Sequence, residues 1–271
     1  MRTLVICHDG ADLDREGLVR WLGSFSTVAG TLVIKEPGGR LRKRIAREIT
    51  RVGFWRFLDV LAFRAYHTMT KAAGDRRWER RALDHLRTRF PDRPEPPELV
   101  VGSPNSKGAE AFIRERKPDL VVARCKTLLS DRIFTIPRLG TYVMHPGICP
   151  EYRNAHGCFW AMATGDWDNV GMTLLRIDKG VDTGPVYGYF RVDANPRESH
   201  AITQHRVVLD HLDAIRATLL AIEAGTATSI DTTGRKSAAW GQPWLSALVR
   251  LRRSSRETTN KRSSALALHV K

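Results

Sequence analysis

The chain has no apolar run approaching the roughly 20 residues that a bilayer crossing needs. The opening stretch, MRTLVICHDG, lacks the long apolar segment and small-residue cleavage site of a secretory leader. Cysteine is scarce: Cys7, Cys125, Cys149 and Cys158 form no C-x-x-C pair and no disulfide-framework spacing. These absences argue against a secreted, disulfide-held protein and make a cytoplasmic setting with free thiols the expectation. Acidic residues are also under-represented, 29 Asp and Glu against 44 Lys and Arg, for a formal charge of +15. Much of the excess falls in two stretches, about Arg40 to Arg93 and Arg250 to Lys271. Such a surface is either simply solvated or suited to nucleic acid, an anionic membrane or an anionic substrate.

With 271 residues and 42% hydrophobic content, the chain can bury one large core. Its pattern is strand, loop, helix, strand over residues 1–35, with strands expected at Thr3 to Cys7 and Val28 to Ile34. Residues 41–90 read as helices. Ile45, Ile49, Val52, Trp55, Leu58, Leu61 and Ala65 recur at spacings of three and four, which predicts a stripe that packs on the sheet or on a second copy of the chain. Trp78, Ala82, Leu86 and Phe90 repeat the spacing. A proline-rich stretch, Pro91 to Pro97, ends this block. The α/β alternation then resumes: a strand at Leu99 to Val101, a capping turn at Ser103 to Ser106, a helix from Gly108 to Arg116, and a buried strand from Leu120 to Ala123. A helix is expected over residues 199–224, and Gly234 to Pro243 reads as an irregular closing segment. The fold class is therefore α/β: a Rossmann-like, mostly parallel sheet with helices on both faces, plus a basic helical insertion at about 41–97. Residues 1–225 are expected to form the main domain and 226–252 the closing segment. The basic tail at 253–271 is expected to be disordered.

The segment from Tyr142 to Tyr187 is the most informative. A strand-like run, Gly140 to Met144, ends in His145-Pro146-Gly147. A second, Gly171 to Ile177, runs into Asp178-Lys179-Gly180-Val181-Asp182-Thr183-Gly184. Ligands of parallel sheets bind beyond the carboxyl ends of the strands. Cys7, Arg124-Cys125-Lys126 and His145 all follow predicted strands, so they fall along one edge. A histidine there and an aspartate in a glycine-bounded loop form an acid/base pair if the fold joins them. His145, Cys149, His156 and Cys158 also allow two readings, a metal cluster or buried small thiols.

His145-Pro146-Gly147, Pro150-Glu151-Tyr152-Arg153, Phe159-Trp160-Ala161, Gly165-Asp166, Gly171-Met172-Thr173 and Gly180 to Pro185 together resemble the tetrahydrofolate-dependent formyltransferases. That group acts on methionyl-tRNA, glycinamide ribonucleotide and sugar nucleotides. The resemblance covers roughly residues 1–35 and 98–225, and the helices between resemble an insertion of some divergent members. It implies transfer of a formyl group from 10-formyltetrahydrofolate, as cosubstrate, to an amine, with His145 and Asp182 as catalytic residues. The loop Arg124, Cys125, Lys126 matches the part that contacts the pterin through its main chain. Thr183 and Gly184 shape the Asp182 loop beside the cofactor, and Arg153 is expected near the acceptor. Members of the tRNA-acting branch carry a C-terminal β-barrel. Only 46 residues follow Gly225 here, so the expected acceptor is a small-molecule amine, an amino sugar or biosynthetic intermediate. A homodimer is compatible with the striped helices.

One departure matters. The family pattern is Asn-x-His, and Val143 stands at the asparagine position. Valine has no donor for the formyl oxygen, and losing one oxyanion donor costs about 10²- to 10³-fold in rate. Asn154, His156 or a main-chain N–H near Gly147 is the expected replacement. The alternatives are a formyl-tetrahydrofolate hydrolase, or a non-catalytic member of the fold that binds anions or nucleic acid through its basic segments.

Overall fold

The computed structural model describes residues 1–35 and 41–253; the basic tail expected at 253–271 lies, after its first residue, outside the described residues. Seven strands form one sheet in the order β3-β2-β1-β4-β5-β7-β8. They are β1 (Arg2–His8), β2 (Thr27–Ile34), β3 (Glu98–Val101), β4 (Leu120–Arg124), β5 (Gly140–His145), β7 (Gly171–Arg176) and β8 (Val186–Arg191). The first five in spatial order are parallel, and β7 and β8 run antiparallel to their neighbours. A two-residue pair, β6 (Arg153–Asn154) with β9 (Ala239–Trp240), stands apart.

Side chains of a strand alternate between its faces, and β1 feeds two cores accordingly. Val5 and Cys7 join Trp21, Leu22, Tyr142 and Phe159 on one face; Leu4 and Ile6 join Leu32, Phe112, Ile113 and Ile133 on the other. Near-continuous apolar runs such as Leu120 to Ala123 are what a strand covered on both sides requires. On the second face, α5 (Lys107–Arg116) begins at Ser106, whose hydroxyl accepts from Ala109 N at 3.2 Å. That capping bond satisfies an otherwise orphaned donor.

Two expected helices differ in detail. A π-helical turn at Leu13–Leu18 precedes the short α1 (Val19–Gly23). The single helix expected over 199–224 is two, α8 (His200–Leu209) and α9 (Leu212–Glu223), which part at Asp210 and His211 without glycine or proline.

The insertion comprises α2 (Leu41–Val52), α3 (Phe54–Thr70) and α4 (Ala72–Arg89). The stripe predicted through Trp55, Leu58, Leu61 and Ala65 is not the buried one. Gly53, at φ 80°, breaks the helix, and α3 turns Phe57, Val60 and Phe63 inward instead. Phe63 packs edge-on against Phe159, with ring centroids 5.6 Å apart. In α4 the expected phase holds: Leu83 and Leu86 are buried, and Trp78, Ala82 and Phe90 pack on the same core.

Candidate active site

β5 carries His145 to the carboxyl edge of the sheet, where the side chain is 5% exposed. Its Nδ1 lies 3.4 Å from Asp182 Oδ2, and its Nε2 lies 2.9 Å from the carbonyl oxygen of Tyr152. A carbonyl only accepts, so Nε2 carries a hydrogen. Nδ1 then faces the carboxylate across a gap that one proton can occupy. The pair predicted from two separate strand ends is thus brought together.

Asp182 reaches this position from the loop after β7. It adopts φ 51°, a left-handed conformation uncommon outside glycine, asparagine and aspartate. The turn before it is fixed by Asp178, whose Oδ1 accepts from Gly180 N at 2.9 Å and from Thr183 Oγ1 at 2.7 Å. Gly184 lies so close to the Arg176 carbonyl that no side chain fits. Asn154 N donates to Asp182 Oδ2 at 2.8 Å, and Arg153 Nη1 donates to Val181 O at 2.9 Å. Among the described residues, Asp182 Oδ1 has no hydrogen-bond partner. It is the one open acceptor of the pair.

Gly147 and Gly157 set the closeness of this packing. A Cβ on Gly147 would meet Tyr152 O, come within 2.8 Å of His145 Nε2 and lie 3.0 Å from Gly157 Cα. Thr173, opposite His145 in the ladder, donates to Gly147 O at 2.7 Å and accepts from Cys149 N at 2.9 Å. The closing segment seals the outer side. Arg235 pairs with both oxygens of Glu151 at 2.9 and 2.7 Å, Trp240 Nε1 donates to Glu151 O at 2.8 Å, and Trp240 stacks on Tyr152 and Trp160.

The groups expected to replace the missing asparagine all have protein partners. Asn154 Nδ2 donates to Trp240 O at 2.6 Å, and its N–H serves Asp182. Gly147 N donates to His145 O at 2.8 Å. His156 Nδ1 lies 3.3 Å from Gln204 Nε2, and its ring centroid is 5.3 Å from that of His200. Val143 shares a face with His145, as alternation along the strand requires, and packs beside Cys149, Leu175 and Val186.

The loop after β4 supplies struts and one exposed lysine. Arg124 donates to Asp14 at 3.0 Å and to Met144 O at 2.5 Å, so its side chain braces the sheet edge. Cys125 Sγ points at Thr127 O, 3.4 Å away. Lys126 N donates to His8 Nε2 at 3.0 Å, and its side chain is exposed.

Burial pushes the Cys7 thiol up to about 12, Cys125 to about 11 and Cys158 to about 12, and it raises Cys149 as well. Protonated thiols are poor nucleophiles and poor metal ligands. Among the described residues, no three His, Cys, Asp or Glu side chains converge as a metal site would require.

Burial also pushes His156 down to about 4 and His200 to about 3. Lys126 and Arg64 add to the shift on His156, and a hydrogen bond with Gln242 opposes it; His156 and His67 add to the shift on His200. Both folded values lie below the ordinary histidine value, so the unfolded chain binds more protons in between. Their stabilising contribution is complete above about pH 6.5 and is lost as pH falls through about 4 and then about 3, at no more than about 1.4 kcal/mol per unit for each ring. Both rings keep partial contact with water, which reduces the slope. A thermal melting series should show Tm flat above pH 7 and falling below 6.5. The His156→Gln/His200→Gln variant should fall less steeply between about pH 6.5 and 4.5; an unchanged slope would remove the two rings as its cause.

This arrangement defines a class: an α/β protein with a buried histidine and a half-buried aspartate paired beyond the carboxyl end of its central parallel strands. Residues 103–215 match the family model described as Formyl transferase. Methionyl-tRNA formyltransferase of Thermotoga maritima is 30% identical over 115 residues, 42% of this chain and 36% of that protein. The same enzyme of Dehalococcoides mccartyi is 36% identical over 95 residues, 34% of this chain and 30% of that protein. The matched stretch thus spans about a third of the length of these curated relatives. The phosphoribosylglycinamide formyltransferase of Anaplasma phagocytophilum superposes with a TM-score of 0.54 at 14% identity, over 90% of this chain and 99% of that one. A sugar N-formyltransferase from a Shewanella species gives 0.54 at 12% identity, over 93% and 88%. Residues 103–215, which hold both His145 and Asp182, are thus similar to the formyl transferases, and the fold is one that solved formyltransferases share.

Proposed function

We propose that this protein transfers a formyl group from 10-formyltetrahydrofolate to the amine of a small-molecule acceptor. The observation that carries the reading is the His145–Asp182 contact at 3.4 Å, with Asp182 Oδ1 left open at the carboxyl edge of the sheet. An amine nitrogen attacks the formyl carbon and forms the new C–N bond. Its excess proton passes to Asp182 Oδ1, and the folate nitrogen leaves with a proton as its own C–N bond breaks. His145 holds the carboxylate in place and supplies positive charge beside the developing oxyanion when the shared proton resides on Nδ1. Asn154 acts through its main-chain N–H, which orients Asp182. His156 is a neutral, half-buried wall of the site. Exposed Lys126 suits the anionic tail of the folate, and Arg153 supports the acceptor side through the Val181 carbonyl.

A non-reacting folate analogue tests the site without an acceptor in hand. Calorimetric titration should give saturable, one-to-one binding that Lys126→Ala weakens by about three- to tenfold, the scale of one partly screened charge pair. Absence of binding by the wild type would remove the formyl-transfer reading.

A further inference from the structure

His145 and Asp182 are both held by main-chain groups of one short loop. Tyr152 O meets His145 Nε2 at 2.9 Å, and Asn154 N donates to Asp182 Oδ2 at 2.8 Å. The two groups belong to neighbouring peptide units. Residues 153 and 154 form β6, which lies in the two-stranded pair and not in the seven-stranded sheet.

The closing segment fixes both units. In a trans peptide the C=O and N–H point in opposite directions. The N–H of the Tyr152–Arg153 unit donates to Ala238 O at 3.1 Å, which aims its carbonyl away from the closing segment and at His145. One peptide earlier, Glu151 O accepts from Trp240 Nε1 at 2.8 Å, and the Trp240 ring stacks on that of Tyr152 with centroids 5.9 Å apart. One peptide later, Asn154 adopts φ 76°, in the left-handed region, and its Nδ2 donates to Trp240 O at 2.6 Å. Arg235 pairs with both Glu151 oxygens and with the Tyr189 hydroxyl, which donates in turn to Cys149 O at 2.7 Å. The segment is anchored at both ends, by Ile230 N on Val186 O at 2.7 Å and by Ser246 N on Asp59 Oδ1 at 3.0 Å.

This anchoring decides where His145 keeps its hydrogen. A neutral imidazole carries one, and the bond made by one ring nitrogen sets the state of the other. A free ring beside a carboxylate places its hydrogen on Nδ1, because an ionised acceptor makes the stronger bond. Tyr152 O, held at 2.9 Å, keeps a hydrogen on Nε2 instead. A proton shared with Asp182 at Nδ1 then makes the ring cationic. We propose that Trp240 and Arg235 are positioning residues of the His145–Asp182 pair. Acting through residues 151–154, they hold the peptide that keeps Nε2 protonated and leaves Nδ1 to share a proton with Asp182.

The test reads the ring directly. Two-bond proton–nitrogen NMR on protein labelled with ¹⁵N-histidine distinguishes an N–H from a bare ring nitrogen. His145→Gln identifies the His145 signals among those of the nine histidines. Wild type should keep Nε2 protonated at every pH at which it is folded. In Trp240→Leu, well above the ordinary histidine value of about 6.5, the Nδ1–H form should rise from under about one-tenth to at least about half of the neutral ring. That is the roughly tenfold reweighting expected from one lost hydrogen bond. Arg235→Met should shift the ring the same way, and Arg235→Lys, which keeps a cation against Glu151, should restore Nε2–H. Leu219→Ala truncates a buried side chain that makes none of these bonds, so it should lower Tm and leave Nε2–H in place. Unchanged Nε2–H in Trp240→Leu and Arg235→Met, with wild-type circular dichroism, overturns the proposal; Arg235→Met alone decides if Trp240→Leu does not fold. The same shift in Leu219→Ala also overturns it. The kinetic consequence rests on the formyl-transfer reading: kcat should fall about tenfold in Trp240→Leu, with KM for the folate within a factor of about three. The ring spectra need neither folate nor acceptor. A wild type that transfers no formyl group, with the shift present in both variants, would remove that reading and support the positioning role.

Discussion

Asp182→Asn should lower kcat for formyl transfer by about 10³-fold, with KM for the folate changed by no more than a factor of about three. Asparagine fills nearly the same volume and can still accept the Asn154 N–H through its carbonyl oxygen. It cannot take the amine proton, and its NH₂ has no negative charge with which to hold a proton on His145 Nδ1. The loss therefore belongs to the transition state and not to ground-state binding. His145→Gln should fall by a comparable factor. The double variant should be little worse than either single, because the two side chains act as a unit across one 3.4 Å contact. Steady-state kinetics on the three variants checks this; additive losses would mean that His145 and Asp182 serve separate steps.

The second large effect runs the other way. Val143→Asn should raise kcat by about tenfold or more, because the expected replacements for the family asparagine are already occupied. Asn154 is bonded to Trp240 O and Asp182, and Gly147 N–H to His145 O, while His156 is packed against His200 and Gln204. The new amide would stand on the His145 face of β5 and offer the donor that valine lacks. It would also set a polar group among Cys149, Leu175 and Val186, at a stability cost of about 1–3 kcal/mol. Melting and rate should thus move in opposite directions. An unchanged or lower rate would show that an unidentified donor already meets the formyl oxygen.

The central sheet was legible because its parallel strands are buried on both faces and so are written as unbroken apolar runs, as in Leu120 to Ala123. The His145–Asp182 pair was legible for a related reason: both residues sit where such runs stop. What the sequence could not express is the main-chain chemistry. Asn154 contacts Asp182 through its N–H, a group every non-proline residue carries, so its residue type gives no sign of that bond. The β6–β9 pair joins Asn154 to Trp240 over only two residues per strand, too short to leave a periodic signal. Helix α3 misled for a physical reason. Apolar residues on both sides give two stripes at the same spacing, Trp55-Leu58-Leu61 and Phe57-Val60-Phe63, and periodicity alone cannot choose between them. Only contact with Phe159 and the core selects the second. The break at Asp210 and His211 carries no turn residue that would announce it.

The most direct test of the account is a single-turnover reaction with isotopically labelled 10-formyltetrahydrofolate and a panel of amino sugars and small biosynthetic amines, with products resolved by mass spectrometry. The account predicts a labelled formamide on at least one amine, formed in step with tetrahydrofolate, and its loss in Asp182→Asn. Labelled formate released at the same rate with and without amine, or label that stays on the folate while the analogue still binds, would contradict it.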